Sequence, residues 1–135
     1  MATWELKEPI PGDIIRIPIE KFYHYAIYIG DDEVVQFGYP TDFKNDPTEV
    51  RVMRCPIEDF MNNNFIEVRN YDKAERKQKK RNPDIIKTAL SRVGEGNYNI
   101  LYNNCEHFVN EIVFGKKESS QVDIIRQEMK KKLGI

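Results

Sequence analysis

Two residues far apart in the chain carry the chemistry: Cys105, in the run Asn103-Asn104-Cys105-Glu106-His107-Phe108, and His24, which opens His24-Tyr25-Ala26-Ile27-Tyr28-Ile29-Gly30-Asp31. A thiol is a nucleophile only as its thiolate. A helix N-terminus and a nearby imidazolium both favour that form. The chain has two cysteines and two histidines, so few pairings are possible. On the residues alone, a lone Cys on a helix face is more often a small core residue than a nucleophile. Position sharpens the reading. Cys105 stands at the start of a helix, and a Cys–His pair needs the thiolate within hydrogen-bond reach of the imidazole.

The elements around the pair follow from periodicity and punctuation. Pro9, Pro11 and Gly12 interrupt the start, and Asp13 to Ile17 reads as a first strand. His24 to Ile29 and Glu33 to Phe37 read as a hairpin joined by Gly30-Asp31-Asp32. Gly38 to Thr48 reads as loop, Glu49 to Cys55 as a half-buried strand, Pro56 to Asn62 as one helical turn with Ile57, Phe60 and Met61 inward, and Phe65 to Tyr71 as another strand. Asp72 to Asn82 is the most hydrophilic stretch, and its basic run Lys73 to Arg81 reads as a solvated loop, with a lipid-headgroup site as the other reading. Asn82 caps a helix with Pro83 in its first turn, Ile86, Ala89, Leu90 and Val93 as its apolar face, and Gly94 as its stop.

Asn103 or Asn104 caps the next helix, which Gly115 ends. Cys105, Phe108, Val109 and Ile112 share one face of it by their spacing, so the thiol turns inward and His107 does not. A last helix runs from about Ser120, with Val122, Ile125, Met129 and Leu133 at helical spacing. Strands followed by helices give an α+β chain, an antiparallel sheet packed against helices.

The bulk numbers narrow the function classes. The 135 residues suit one domain, 1–135; 40% are hydrophobic and 32% charged, which is ordinary for a soluble globular chain. A net charge of -1 gives no global attraction to nucleic acid, so no nucleic-acid partner is expected. The N-terminal Met1-Ala2-Thr3-Trp4-Glu5-Leu6-Lys7-Glu8 has no apolar core of a secretory signal, and no window approaches the ~18 apolar residues of a spanning helix. Two cysteines make no disulfide framework, so a reducing, cytoplasmic setting is the simplest expectation. Two Cys and two His without zinc-type clustering argue for no metal and no cofactor.

Three segments together resemble an LRAT domain: Gly12-Asp13-Ile14-Ile15, the His24 to Asp31 block, and Asn104-Cys105-Glu106-His107-Phe108-Val109-Asn110-Glu111. This is the group of lecithin retinol acyltransferase and the HRAS-like suppressor phospholipase/acyltransferases, within a superfamily that includes NlpC-like peptidases and viral H-box/NC proteins. The resemblance covers about residues 9 to 115 as a catalytic core. Ser120-Gln121-Val122 also looks like the family's segment after the catalytic helix, leaving 116–135 as a C-terminal helix without a transmembrane anchor. The resemblance implies a circularly permuted papain-like (NlpC-like) fold and thiol acyl transfer. Cys105 would attack a phospholipid ester to give a thioester acyl-enzyme, and His24 would carry the proton. Water as acceptor gives a phospholipase A; an amine or alcohol gives an acyltransferase.

By the same resemblance the third catalytic position, twelve residues after the histidine, is usually a second His, and here it is Gln36. An amide can orient an imidazole, but it cannot share positive charge. A tight turn at Asp31-Asp32 alone would not bring residues 24 and 36 together; the hairpin has to be offset or bulged. Tyr23 reads either as a substrate-binding wall of the site or as core. Cys55 reads as a buried strand residue and His107 as structural, bonded to a backbone group. The segment Arg126 to Leu133 cannot span a bilayer, so lipid is expected to be met transiently, with peripheral membrane contact through the basic residues. Two other function classes stay open: a weakly active or non-catalytic H-box/NC regulatory or binding module, and a cysteine amidase or peptidase.

Overall fold

The computed structural model describes residues 3–40, 46–99, 103–116 and 118–134, the side chains of residues 120, 121 and 123 excepted. Six strands form one antiparallel sheet: β1 (Thr3–Leu6), β2 (Ile14–Ile19), β3 (Phe22–Gly30), β4 (Glu33–Phe37), β5 (Val52–Pro56) and β6 (Glu67–Asn70). Their spatial order is β1-β6-β2-β3-β4-β5. The α+β architecture is thus the expected one, with β1 added at the edge. The sequence reading left β1 out because its Thr-Trp-Glu-Leu run is too short and too polar to signal a strand; pairing with β6 makes it one.

The sheet has an apolar layer on each face because the buried residues of the central strands β3 and β4 are apolar on both sides, apart from His24 and Gln36. Tyr25, Ile27, Val35 and Phe37 point to one side, where α4 (Cys105–Phe114) and α3 (Asn82–Ser91) cover them through Phe108, Val109, Ile112, Val113, Ile85 and Ala89. Ala26, Val34, Cys55 and Val68 point to the other side, where α1 (Ile57–Met61) contributes Phe60. Each fully buried Ile, Val or Phe stabilises the fold by about 1.5–3 kcal/mol.

The β3–β4 turn settles where Gln36 points. Asp31 and Asp32 both have positive φ, 51° and 57°, the primed geometry that suits a two-residue hairpin. Gly30 pairs with Glu33, but Tyr28 pairs with Val34 and Ala26 with Gln36, so one extra residue is accommodated between Tyr28 and Gly30. Gly30, at φ 98°, supplies the backbone that this bulge needs. An unbulged hairpin would place residue 36 opposite residue 27, on the face away from His24. The bulge restores parity, and Gln36 joins His24 on one face.

Other elements differ from expectation in detail. The run Lys73 to Arg81 is loop only over residues 79–81. Asp72 and Glu75 form a reciprocal capping box that starts α2 (Lys73–Gln78), a solvated helix whose residues have no apolar face to advertise it. Arg81, not Asn82, is the N-cap of α3, and its inward residues are Ile85 and Ala89, while Leu90 and Val93 are exposed. The helix therefore sits about one residue out of the expected phase. The expected loop from Gly38 to Thr48 lies partly outside the described residues, at 41–45, and closes with a 3-10 turn over Pro47–Glu49. α5 (Ser120–Leu133) carries a buried Val122 at one end and exposed Met129 and Leu133 at the other. Among the described residues, no helix is long and apolar enough to cross a membrane.

Candidate active site

Cys105 is the first residue of α4, and its position is set by a network of polar side chains. Asn104 is the N-cap: its Oδ1 accepts from the backbone N–H groups of Glu106 and His107, both at 2.9 Å. His107 reciprocates, its Nδ1 accepting from the Asn104 backbone N–H at 3.1 Å. His107 thus has the structural, backbone-bonded role expected of it. Ser119 ties the site to the start of α5: it receives the Asn104 Nδ2 donor at 3.0 Å and donates to Glu106 Oε1 at 2.8 Å. The sequence named Asn104 as a cap, but nothing local pointed to Ser119.

Cys105 packs with Phe108, Val109 and Ile112 against Tyr25 and Ile27, as its helix face predicted. Its thiol points at the carbonyl oxygen of Tyr23, 4.0 Å away. That oxygen belongs to the peptide bond joining Tyr23 to His24, so the thiol lies against the backbone that carries the histidine. The phenol of Tyr25 is pushed well above its ordinary pKa, first by burial and then by the negative charge of Glu106 and Cys105 beside it.

The imidazole of His24 lies on the opposite face of β3, 5.4 Å from the ring of Phe60. By strand alternation the Cβ of His24 is on the side of β3 opposite Tyr25 and Ile27. The thiol and the imidazole are linked through the Tyr23–His24 peptide, whose oxygen the thiol approaches. His24 Nε2 donates to Gln36 Oε1 at 2.8 Å. Gln36 is fully buried, and its Nε2 donates in turn to Cys55 Sγ at 2.8 Å. Cys55 is the buried strand residue expected, with its thiol pushed up by burial. Its bond to Gln36 was not legible, because residue 55 becomes diagonal to residue 36 only once Gln36 is paired with Met53 and Val34 with Cys55.

Tyr23 is half-buried at the margin of the core, its ring 3.7 Å from the Arg16 guanidinium carbon, which also lies 4.1 Å from Trp4. Arg16 itself is paired with Glu67 at 2.9 Å. The structure thus brings Cys105 to the Tyr23 carbonyl and His24 to Gln36. No cluster of three or more His, Cys, Asp or Glu suited to a metal occurs among the described residues.

Comparison with known proteins shows the family of the chain. The family model described as lecithin retinol acyltransferase matches residues 7–118. Human "Phospholipase A and acyltransferase 4" is 31% identical over 133 residues, covering 91% of this chain and 80% of the relative. Human "Phospholipase A and acyltransferase 3" is 33% identical over 130 residues, covering 89% and 80%. Bovine "Lecithin retinol acyltransferase" is 28% identical over 149 residues, covering 96% of this chain and 65% of the relative, so the chain spans about two thirds of that protein. The chain belongs to the lecithin retinol acyltransferase family.

Proposed function

We propose that this protein is a cysteine-dependent acyltransferase or phospholipase A acting on phospholipid esters. The observation that carries the reading is Cys105 at the capped start of α4, with its thiol against the Tyr23–His24 peptide and His24 held by Gln36. The relatives' names, phospholipase A and acyltransferase, support the reaction class.

With Nε2 engaged by Gln36, proton exchange with the thiol falls to Nδ1 of His24. His24 takes the thiol proton, and the helix N-terminus favours the thiolate. The sulfur then forms a bond to the ester carbonyl carbon, and the π pair moves to the oxygen. Collapse of the tetrahedral intermediate breaks the carbon–oxygen ester bond. The leaving lysophospholipid oxygen takes the proton back from His24, and the acyl group stays on Cys105 as a thioester. Water, or an amine or alcohol acceptor, repeats the sequence in reverse and frees the thiol. Tyr23 lies at the thiol's margin and is assigned to the wall that receives the substrate.

Residues 9–115 form the catalytic core in this reading, and 116–135 a C-terminal helix. The order of a strand histidine before a helix cysteine fits a circularly permuted papain-like fold. Substrate is met by transient contact with the membrane surface from the cytoplasm, aided by Lys73, Arg76, Lys77 and Lys130 to Lys132; each basic residue near an anionic surface contributes about 1 kcal/mol. Intact-mass analysis after incubation with phosphatidylcholine tests the reading. An added acyl mass on Cys105 is expected. Its absence under conditions where the protein is folded and vesicle-bound would overturn the enzyme and favour the binding-module class.

A further inference from the structure

The amide of Gln36 is the hinge of the site's proton geometry, and its two ends are chemically opposite. With its oxygen toward His24, it can only accept, so Nε2 carries the imidazole proton and Nδ1 is the basic nitrogen. Turned by half a rotation, it would donate to Nε2, move the proton to Nδ1 and so take away the basic Nδ1 that the proposed proton exchange uses. The side chain is fully buried, and the cluster around it is apolar, made of Ala26, Val34 and Phe60 together with Cys55. A buried amide in such a layer needs a partner at each end, and here its N–H end has one that accepts. That partner is Cys55 Sγ, at 2.8 Å.

We infer that Cys55 is a positioning residue for His24: its sulfur accepts the Gln36 amide N–H, turns the amide oxygen to the imidazole and so holds His24 as the Nε2–H tautomer. The three side chains run diagonally across β3, β4 and β5. Gln36 faces Ala26 and Met53 in register, and His24 and Cys55 are its diagonal neighbours on either side. At Cβ separations of roughly 7–8 Å such diagonal pairs are within reach of long side chains. Burial keeps the Cys55 thiol protonated, so it accepts without placing a negative charge near the imidazole. A Cys55 that merely filled space would leave the amide, and hence the tautomer, undetermined.

The catalytic consequence rests on the acyl-enzyme reading above, but the tautomer is read without lipid. The probe is a two-bond 15N–1H spectrum of protein labelled at histidine, above the imidazole titration; with two histidines in the chain, the signals are few. His24 is expected as the Nε2–H form in the wild type. In Cys55→Val it is expected to shift toward the Nδ1–H form or a mixture. Cys55→Ser, which restores an acceptor, is expected to return it. The acylation rate is expected to fall about fivefold in Cys55→Val, the worth of one ordinary hydrogen bond, through kcat rather than KM, and to recover most of that loss in Cys55→Ser. Cys55→Ala gives the same reading should Val not be accommodated. A wild-type His24 in the Nδ1–H form would overturn the inference, as would identical His24 spectra in wild type and in the variants that lack an acceptor. A Nε2–H spectrum with no acyl mass on Cys105 would instead sink the enzyme and leave the role of Cys55 intact.

Discussion

Cys55 and Cys105 are almost equally hidden, 6% and 4% exposed, yet their backbones set them to different tasks. Cys105 begins a helix whose first N–H groups are organised by Asn104, and its neighbour across the gap is a peptide oxygen. Cys55 lies in the edge strand β5, in an apolar layer, and burial holds its thiol in the neutral form. Exposure alone would not distinguish the two. What separates them is backbone context: one sulfur stands at the positive end of a helix, the other among side chains that cannot stabilise charge.

The largest expected effect tests that contrast directly. Cys105→Ala should abolish the acyl-enzyme, and iodoacetamide at mildly acidic pH should label the wild type at Cys105 well before Cys55. Peptide mapping that finds equal labelling, or Cys55 first, would break the comparison. Next comes His24→Ala. Removing the proton carrier should slow acylation by about 10²–10⁴-fold and slow Cys105 alkylation, both measurable by mass. Gln36→Ala should cost about tenfold, as expected for a hydrogen bond to an imidazole that becomes charged, while Gln36→His should cost less or raise the rate. Equal turnover in all three proteins would remove Gln36 from the site.

Smaller effects sharpen the comparison from the backbone side. Asn104→Ala should lower stability by about 1 kcal/mol in urea denaturation and selectively slow Cys105 labelling. The smallest effect belongs to Cys55. Its folded pKa lies above the unfolded one, so the folded state holds the proton longer. The stability this contributes is fully present below the ordinary thiol pKa of about 8.5 and falls as pH rises beyond it. Denaturation midpoints taken from pH 8 upward should decline more in wild type than in Cys55→Ala.

The sequence made much of this legible because several signals were local. The apolar spacing after Cys105, the capping asparagine and the His24 strand all follow from a few adjacent residues. Gln36 was named by resemblance, but its route to His24 was not visible, since the bulge between Tyr28 and Gly30 depends on pairing with β4. The Gln36–Cys55 bond needed a second register, that of β4 with β5. α2 was missed because a short solvated helix held by Asp72 and Glu75 leaves no apolar period. The placement of His24 and Cys105 on opposite faces of β3 likewise needs the layers to be known, although strand alternation contains half of that information.

That placement makes β3 a partition one strand thick, with the nucleophile maintained from one room and its proton partner from the other. The residues that furnish each room, Phe108 and Val109 on one side and Phe60 and Val34 on the other, do not share a cluster. The packing around the imidazole can therefore change without changing the packing around the thiol, and the reverse. Paired packing substitutions drawn from the two rooms should combine additively in their effects on stability, within roughly 0.5 kcal/mol, whereas pairs within one room should not.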